Sequence, residues 1–282
     1  MALNLKTLGI RSLSAAVFVI LLLGSVLWNY YSFTSFFFIV SLIGLNEFFK
    51  ISEKLGAKPF KVVGFICAIL LYLAFMNFYF LIYDAEIKNY LIYCIALIPF
   101  VLFTSALFSK KENPLLNFMY TFAGIIYAVL PFALLNQLVL IKETDSHIYN
   151  YYPSLVLGTI FLIWSNDTFA YLGGSLFGKH KMIERISPGK TWEGTVFGIL
   201  VTFGVSFLIK TYLLKTEDNI WLTLGMIVPI LATIGDLIES MLKRQAGIKD
   251  SGTIMPGHGG ILDRFDSLIF VSPFVYVIFK LL

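Results

Sequence analysis

From Val62 to Tyr83 the chain carries no charged side chain. At 1.5 Å of rise per residue, about 20 apolar residues cross the hydrocarbon core of a bilayer. A helix is the single-segment structure that satisfies its own backbone polar groups while doing so. The run is too long for an ordinary buried strand, and the chain repeats the pattern throughout its 282 residues. Only 13% of residues are charged while 58% are hydrophobic, and the mean hydropathy is +0.84. A soluble domain carries about 25% charged residues, so this chain cannot cover a water-facing surface. The fold class that follows is an all-α polytopic membrane protein.

Nine spans are predicted, at Leu8–Trp28, Tyr30–Phe49, Val62–Tyr83, Tyr90–Phe108, Leu115–Ile141, Pro153–Phe177, Trp192–Leu214, Ile220–Leu242 and Ile261–Leu282. The uncharged turn Trp28 to Tyr31 also admits one bent hairpin in place of two spans. With the N-terminus in the cytoplasm, 16 of the 21 Lys and Arg residues fall in inner loops. The positive-inside rule therefore predicts an N-in, C-out arrangement. Lys6 and Arg11 precede the first run as in a secretory signal, but no small-residue cleavage site follows, so the first span is expected to stay. The net charge of +4 sits on inner loops and points to anionic headgroups or substrates. No nucleic-acid-binding motif is present. Cys67 and Cys94 lie in apolar runs without metal-ligand spacing and read as packing residues.

Chemistry divides the chain into residues 1–150 and 151–282. The first part holds one carboxylate inside an apolar span, Glu47 near the inner end of span two, and reads as scaffold. The second part is different. Asp167, in Trp164-Ser165-Asn166-Asp167-Thr168, lies about ten residues from its span end, roughly 15 Å deep. Asp236 and Glu239 share a helical face at i, i+3 spacing, with Lys243 one turn on. A snorkelling ladder of these three near the interface is the bland alternative. An acid at membrane depth costs at least about 2.5 kcal/mol at a helix centre and is a functional candidate by default.

Lys243 to Asp266 is the densest polar stretch, with four cations, three carboxylates and the glycine-flanked His258 in 24 residues. An inner loop explains Lys243 and Arg244, but not Asp250, Asp263, Asp266 or the Gly259-Gly260 pair. Glycines let backbone N–H groups approach an anion, and a helix starting near Ile261 directs its positive end there. Carboxylates beside Lys249 and Arg264 form the ligand set of a metal–phosphate site. Ser187-Pro188-Gly189-Lys190-Thr191-Trp192-Glu193-Gly194 lacks the first glycine and preceding strand of a P-loop. As a turn before span seven, its lysine and hydroxyls still suit phosphate. His147 and His180 read as ordinary loop residues.

At these residues the chain resembles the phosphatidate cytidylyltransferase (CDP-diacylglycerol synthase) family. Ser240, Lys243-Arg244, Lys249-Asp250, Gly252, Pro256, His258-Gly259-Gly260, Asp263-Arg264 and Asp266 reproduce its C-terminal pattern over 27 residues. Met255 stands where that pattern has a branched or aromatic apolar residue. The segments Asn166-Asp167-Thr168 and Ser187–Gly194 are similar too. The resemblance implies transfer from CTP to phosphatidate, giving CDP-diacylglycerol and pyrophosphate, with the site facing the cytoplasm of a bacterial-type inner membrane. It implies Mg2+ on Asp236 and Asp263, with a monovalent cation such as K+ as a further candidate. Lys249 and Arg264 join those two aspartates as catalytic residues. Asp167, Ser187, Lys190, Thr191, Lys243, Arg244, Asp250, His258, Gly259, Gly260 and Asp266 are expected to bind substrate. Membrane lipids and a second copy in a homodimer are the implied partners. Competing readings are a CTP-dependent enzyme acting on another lipid, and an ion-coupled transporter using Asp167, Asp236 and Glu239. The crowding of charge on one side and the lack of a visible repeat oppose the transporter.

Overall fold

The structure, a computed structural model, describes residues 5–76, 85–142, 149–214, 219–255, 257 and 259–281. Among these, five helices are long and apolar enough to cross a membrane: Tyr30–Lys54, Pro114–Leu135, Ser154–Phe177, Trp192–Tyr212 and Ile220–Gln245. The protein is a helical membrane protein. Its described residues divide into two compact units, residues 1–153 with 245–265, and residues 154–244 with 266–282.

The first unit contains α1 (Leu5–Trp28), α2 (Tyr30–Lys54), α3 (Lys61–Phe75), α4 (Ala85–Leu107), α5 (Pro114–Ala128) and the short α6 (Leu130–Leu135). The uncharged turn between the first two helices is a true break. Asn29 accepts from the Ser32 N–H at 2.9 Å, and Ser32 Oγ accepts from the Asn29 N–H at 3.1 Å. This reciprocal box satisfies two of the amides a helix start leaves unpaired. Span five was expected to run unbroken to Ile141, and it does not. Pro131 lacks an N–H and crowds the preceding turn, so the chain re-enters helix after Val129. Leu140–Lys142 then forms β1, paired antiparallel with β2 (Tyr149–Tyr151).

Tight packing in this unit rests on small residues. A Cβ on Gly64 would meet Phe49 at 2.8 Å, and one on Gly124 would meet Phe48 at 2.8 Å. Buried polar groups are tied to backbone: Lys58 N–H donates to Asn117, Phe60 N–H to Thr121, and Tyr72 OH to the Thr34 carbonyl. Lysines of the basic loops in this unit pair with its acids. Lys58 meets Glu112 at 3.0 Å and Lys61 meets Glu53 at 2.7 Å, beside a cavity of about 500 Å³ that Lys111 also lines.

The second unit contains α7 (Ser154–Phe177), the hairpin β3 (Lys181–Ile183) and β4 (Ser187–Thr191), and α8 (Trp192–Leu208), which continues as a π-helical segment, Ile209–Leu214. α9 (Ile220–Gln245) follows, and α10 (Leu262–Leu281) completes it, the first turn of α10 belonging to the first unit. The two hairpins qualify the all-α expectation; three to five residues carry too little periodicity to be read as strands. α8 shows the lipid-facing logic plainly. Gly194, Gly198, Thr202 and Ser206 are buried at intervals of four, while Val196, Leu200, Phe203 and Phe207 are exposed. Small residues let helix backbones approach where lipid, not water, covers the apolar side. A Cβ at Gly194 would come within 2.6 Å of the Ala170 carbonyl, and one at Gly198 within 2.9 Å of the Ala170 Cβ.

Candidate active site

The segment after α9 belongs to the first unit, where a carboxylate of α2 and one of α10 organise it. Glu47, on α2, is 2% exposed. Its Oε1 accepts from the Ile261 N–H at 3.0 Å, and its Oε2 from the Leu262 N–H at 2.9 Å and the Ser251 hydroxyl at 3.1 Å. The unpaired amides at the start of α10 thus face a protein carboxylate, a favourable place for negative charge. Asp263 holds the same loop from the other side. Its Oδ2 accepts from Ser251 N–H at 2.8 Å, Ser251 Oγ at 2.9 Å and Gly260 N–H at 2.7 Å. A hydroxyl has one proton, so Ser251 serves one carboxylate at a time and bridges the two.

The glycines of this loop are explained by those anions. A Cβ on Gly260 would lie 2.5 Å from both Glu47 oxygens, and one on Gly252 2.3 Å from Oε1. Gly259 combines a φ of +87° with an approach of 2.4 Å to Asp263 Oδ2, so it is constrained both in backbone and in space. Phe265 packs against Phe18, Phe37 and Phe132 with ring centroids 5.4 to 6.2 Å apart, which anchors the first turn of α10. Lys249, Asp250 and Arg264 are exposed and form no side-chain ion pair among the described residues. His258 lies outside the described residues, as does His147.

In the second unit the acids meet lysines. Lys190 Nζ, on β4, lies 2.6 Å from Asp236 Oδ2, with the two side chains 25% and 35% exposed. The same ammonium is 3.5 Å from the Thr233 carbonyl. Glu239, 1% exposed, pairs with Lys243 one turn along α9. The alternative ladder of Asp236, Glu239 and Lys243 is therefore split: Glu239 and Lys243 form a pair, while Asp236 takes its cation from β4. Asp167 lies within electrostatic reach of Lys190 and Asp236, and Asp266 within reach of Asp236, Asp167 and Lys243. Asp266 also accepts locally from the Ser267 N–H at 2.6 Å. The buried Asn166 Oδ1 has no hydrogen-bond partner among the described residues.

The β3–β4 hairpin is what carries Lys190 to this place. Thr191, 6% exposed, ends it and caps α8 by accepting from the Gly194 N–H at 3.2 Å. Glu193, at the positive end of α8, accepts from the N–H groups of Lys179 and His180 and pairs with the His180 ring. His180 is thus a hairpin fastener, a role its sequence context did not signal. Arg244 Nε donates to the Ile186 carbonyl at 3.3 Å, and Ser187 is half-buried at the start of β4.

Sequence reasoning brought Lys190, Asp167, Asp236, Lys243 and Asp266 forward, and the structure gathers them in one unit. It brought Gly259, Gly260 and Asp263 forward too, and these share the first unit's loop. Glu47 was left with the scaffold. The signal was present, since an acid within an apolar span is a functional candidate. Its partners are backbone amides, which have no side-chain signature. Among the described residues no three His, Cys, Asp or Glu side chains are arranged as a metal site. Mg2+ needs only one or two carboxylates, completing its shell with water and substrate phosphate. Asp236 is an oxygen donor of the kind such an ion takes, with its Oδ2 held here by Lys190 and its Oδ1 accepting from the Ser240 hydroxyl at 3.2 Å.

The acids of α7, α9 and α10 and the lysines of β4 and α9 are thus gathered in one unit of a helical membrane protein. The chain belongs to the cytidylyltransferase family, whose model matches residues 9–282. It is 32% identical over 273 residues to a phosphatidate cytidylyltransferase of Staphylococcus epidermidis, covering 95% of this chain and 98% of the relative. With that of Staphylococcus haemolyticus the identity is 30% over 273 residues, with the same coverage. With that of Staphylococcus aureus strain COL it is 36% over 181 residues, covering 64% of this chain and 65% of the relative, slightly under two thirds of its length.

Proposed function

We propose that the protein is a CTP:phosphatidate cytidylyltransferase, making CDP-diacylglycerol for phospholipid synthesis. The observation that carries this is the Lys190–Asp236 pair among Asp167, Asp266 and Lys243, in a chain of the cytidylyltransferase family. A phosphate oxygen of phosphatidate attacks the α-phosphorus of CTP. The bond from that phosphorus to the bridging oxygen breaks, and pyrophosphate leaves with the electron pair. The nucleophile is already an anion at neutral pH, so no strong base is needed. The barrier comes from bringing one phosphate against another, and fixed positive charge lowers it.

Lys190 is placed to hold the triphosphate, moving from Asp236 to phosphate as CTP binds. Lys243 and Arg244 extend that charge along α9. Lys249 and Arg264, exposed and without an ion pair among the described residues, are suited to the phosphates of CTP and lipid. Ser187, Asp250, Gly259 and His258 are assigned to substrate by the resemblance. Thr191 and Gly260 contribute through the hairpin and loop they fix. Mg2+ on Asp236 would supply charge to neutralise the developing pyrophosphate. For Asp263 the resemblance alone carries the metal assignment, because its Oδ2 already accepts three protein donors. K+ and a homodimer stand on the resemblance as well.

We further propose nine spans with the N-terminus inside and the C-terminus outside, and a site open to the cytoplasm. The support is the placement of 16 of 21 basic residues in the inner loops of that arrangement. The test uses purified protein in detergent with Mg2+, labelled CTP and phosphatidate. Label entering the organic phase with release of pyrophosphate, and neither with EDTA, is the expected result. CTP binding without transfer to phosphatidate would overturn the acceptor assignment and direct the search to other lipid phosphates.

A further inference from the structure

Glu47 stands outside every site residue named from the sequence, on a helix read as scaffold. Yet it touches both ends of the loop from Ser251 to Leu262. The Ser251 hydroxyl lies at one end, and the Ile261 and Leu262 amides at the other. Among the described residues between these ends there is no regular helix, and Asp263, just past the loop, supplies a further clamp on Ser251 and Gly260. Glu47 and Asp263 meet on the single Ser251 hydroxyl, so the two clamps are mechanically joined. Gly252 and Gly260 are pressed against the Glu47 carboxylate so closely that no Cβ fits.

A carboxylate buried to 2% exposure is costly unless its oxygens are satisfied. Here both are, by donors that belong to the loop beside Lys249, Asp250 and Asp263. We infer that Glu47 is a positioning residue for the transfer reaction, setting the conformation of the 251–262 loop and through it the placement of Asp263 and the adjoining cations. This rests on the proposed cytidylyltransferase activity for its kinetic consequence, but not for its structural one. Glu47 does not contact substrate in this reading. It also takes the amides of Ile261 and Leu262, so the start of α10 presents substrate with the side chains of Asp263 and Arg264 and not with those two N–H groups.

The experiment compares full-length wild type with Glu47→Gln, Glu47→Asp and Glu47→Ala in detergent, by steady-state kinetics and by amide hydrogen exchange. Glu47→Gln keeps one acceptor oxygen and turns an N–H2 group toward the other amide, while Glu47→Asp keeps both oxygens but withdraws them by one methylene. Losing one charge-assisted bond corresponds to roughly 10-fold to 100-fold. The KM for CTP is expected to rise about tenfold in Glu47→Gln, with Glu47→Ala worse. Exchange at Ile261 and Leu262 is expected to quicken by about the same factor, while α3 and α5 exchange as in wild type. A merely structural contact would reduce the amount of active enzyme and leave KM unchanged. An unchanged KM for CTP in Glu47→Gln, in protein that turns over, overturns the inference, whatever happens to kcat. If Glu47→Ala does not fold, the other two variants carry the test. If wild type itself fails to transfer to phosphatidate, the activity reading fails, and loop exchange alone decides: faster exchange upholds the clamp, and unchanged exchange removes it.

Discussion

In the first unit Glu47 and Asp263 face backbone N–H groups and one serine hydroxyl, whereas in the second unit Asp236 and Glu239 face lysine ammonium groups. The two solutions to an acid within an apolar chain have different mechanical consequences. Backbone donors are fixed by the fold, so the carboxylates of the first unit act as rivets for a loop. An ammonium rides on four methylenes and can leave one anion for another. Glu239 and Lys243, both nearly buried, form a closed pair. Lys190 and Asp236 are each about a third exposed or less, and they form one that a phosphate can enter.

The largest effects should come from Asp236→Asn and Asp263→Asn, and their difference tests the comparison. Both are expected to reduce turnover by about 10³-fold, the scale of losing a transition-state charge partner. Only Asp263→Asn should also lower the thermal midpoint, by the equivalent of about 1–3 kcal/mol, because Oδ2 loses its charge against three donors. The Lys190–Asp236 pair is solvent-accessible, so its loss should cost less than about 1 kcal/mol. Equal midpoints for the two variants would break the distinction. Next comes Lys243→Met, which strands a buried Glu239 and should cost about 3 kcal/mol. Adding Glu239→Gln should recover most of that loss; a double variant less stable than Lys243→Met would mean the pair is not a unit.

The helices were legible because lipid imposes a composition that nothing else in the chain could mimic. The predicted Trp192 start of span seven and the Phe177 end of span six coincide with helix ends. Span five was overrun since hydropathy does not register Pro131 as a break, or the few residues of β1 as a strand. Asp236 and Lys243 stood out in the sequence by their depth and spacing. That Lys190 partners Asp236 was not legible, because 46 residues separate them and only the β3–β4 hairpin brings them together. The glycines at 259 and 260 were read as places where a substrate anion nears the backbone, and in the structure protein carboxylates lie there. Which anions do so was hidden, since Glu47 is more than 200 residues distant. Gly260→Ala puts a methyl group onto that carboxylate and should destabilise by about 1–3 kcal/mol in a thermal melt. A neutral result would mean that α2 can retreat, and the loop would not be riveted after all.

Lys190→Met should have the smallest effect on the fold and the most selective effect on kinetics. The pair it breaks is accessible, so the midpoint should move by less than about 1 kcal/mol. If the ammonium transfers to the triphosphate, its removal raises the KM for CTP by about tenfold while the KM for phosphatidate stays within about twofold. Lys190→Arg retains the charge but replaces a compact donor with a planar fork, and should restore part of the CTP affinity. The opposite pattern, a fall in kcat with the KM for CTP unchanged, would mean that Lys190 remains on Asp236 throughout turnover. Its task would then be to hold that carboxylate in place. The second unit's cluster would be as rigid as the first's, with the difference between backbone and lysine partners carrying no functional weight.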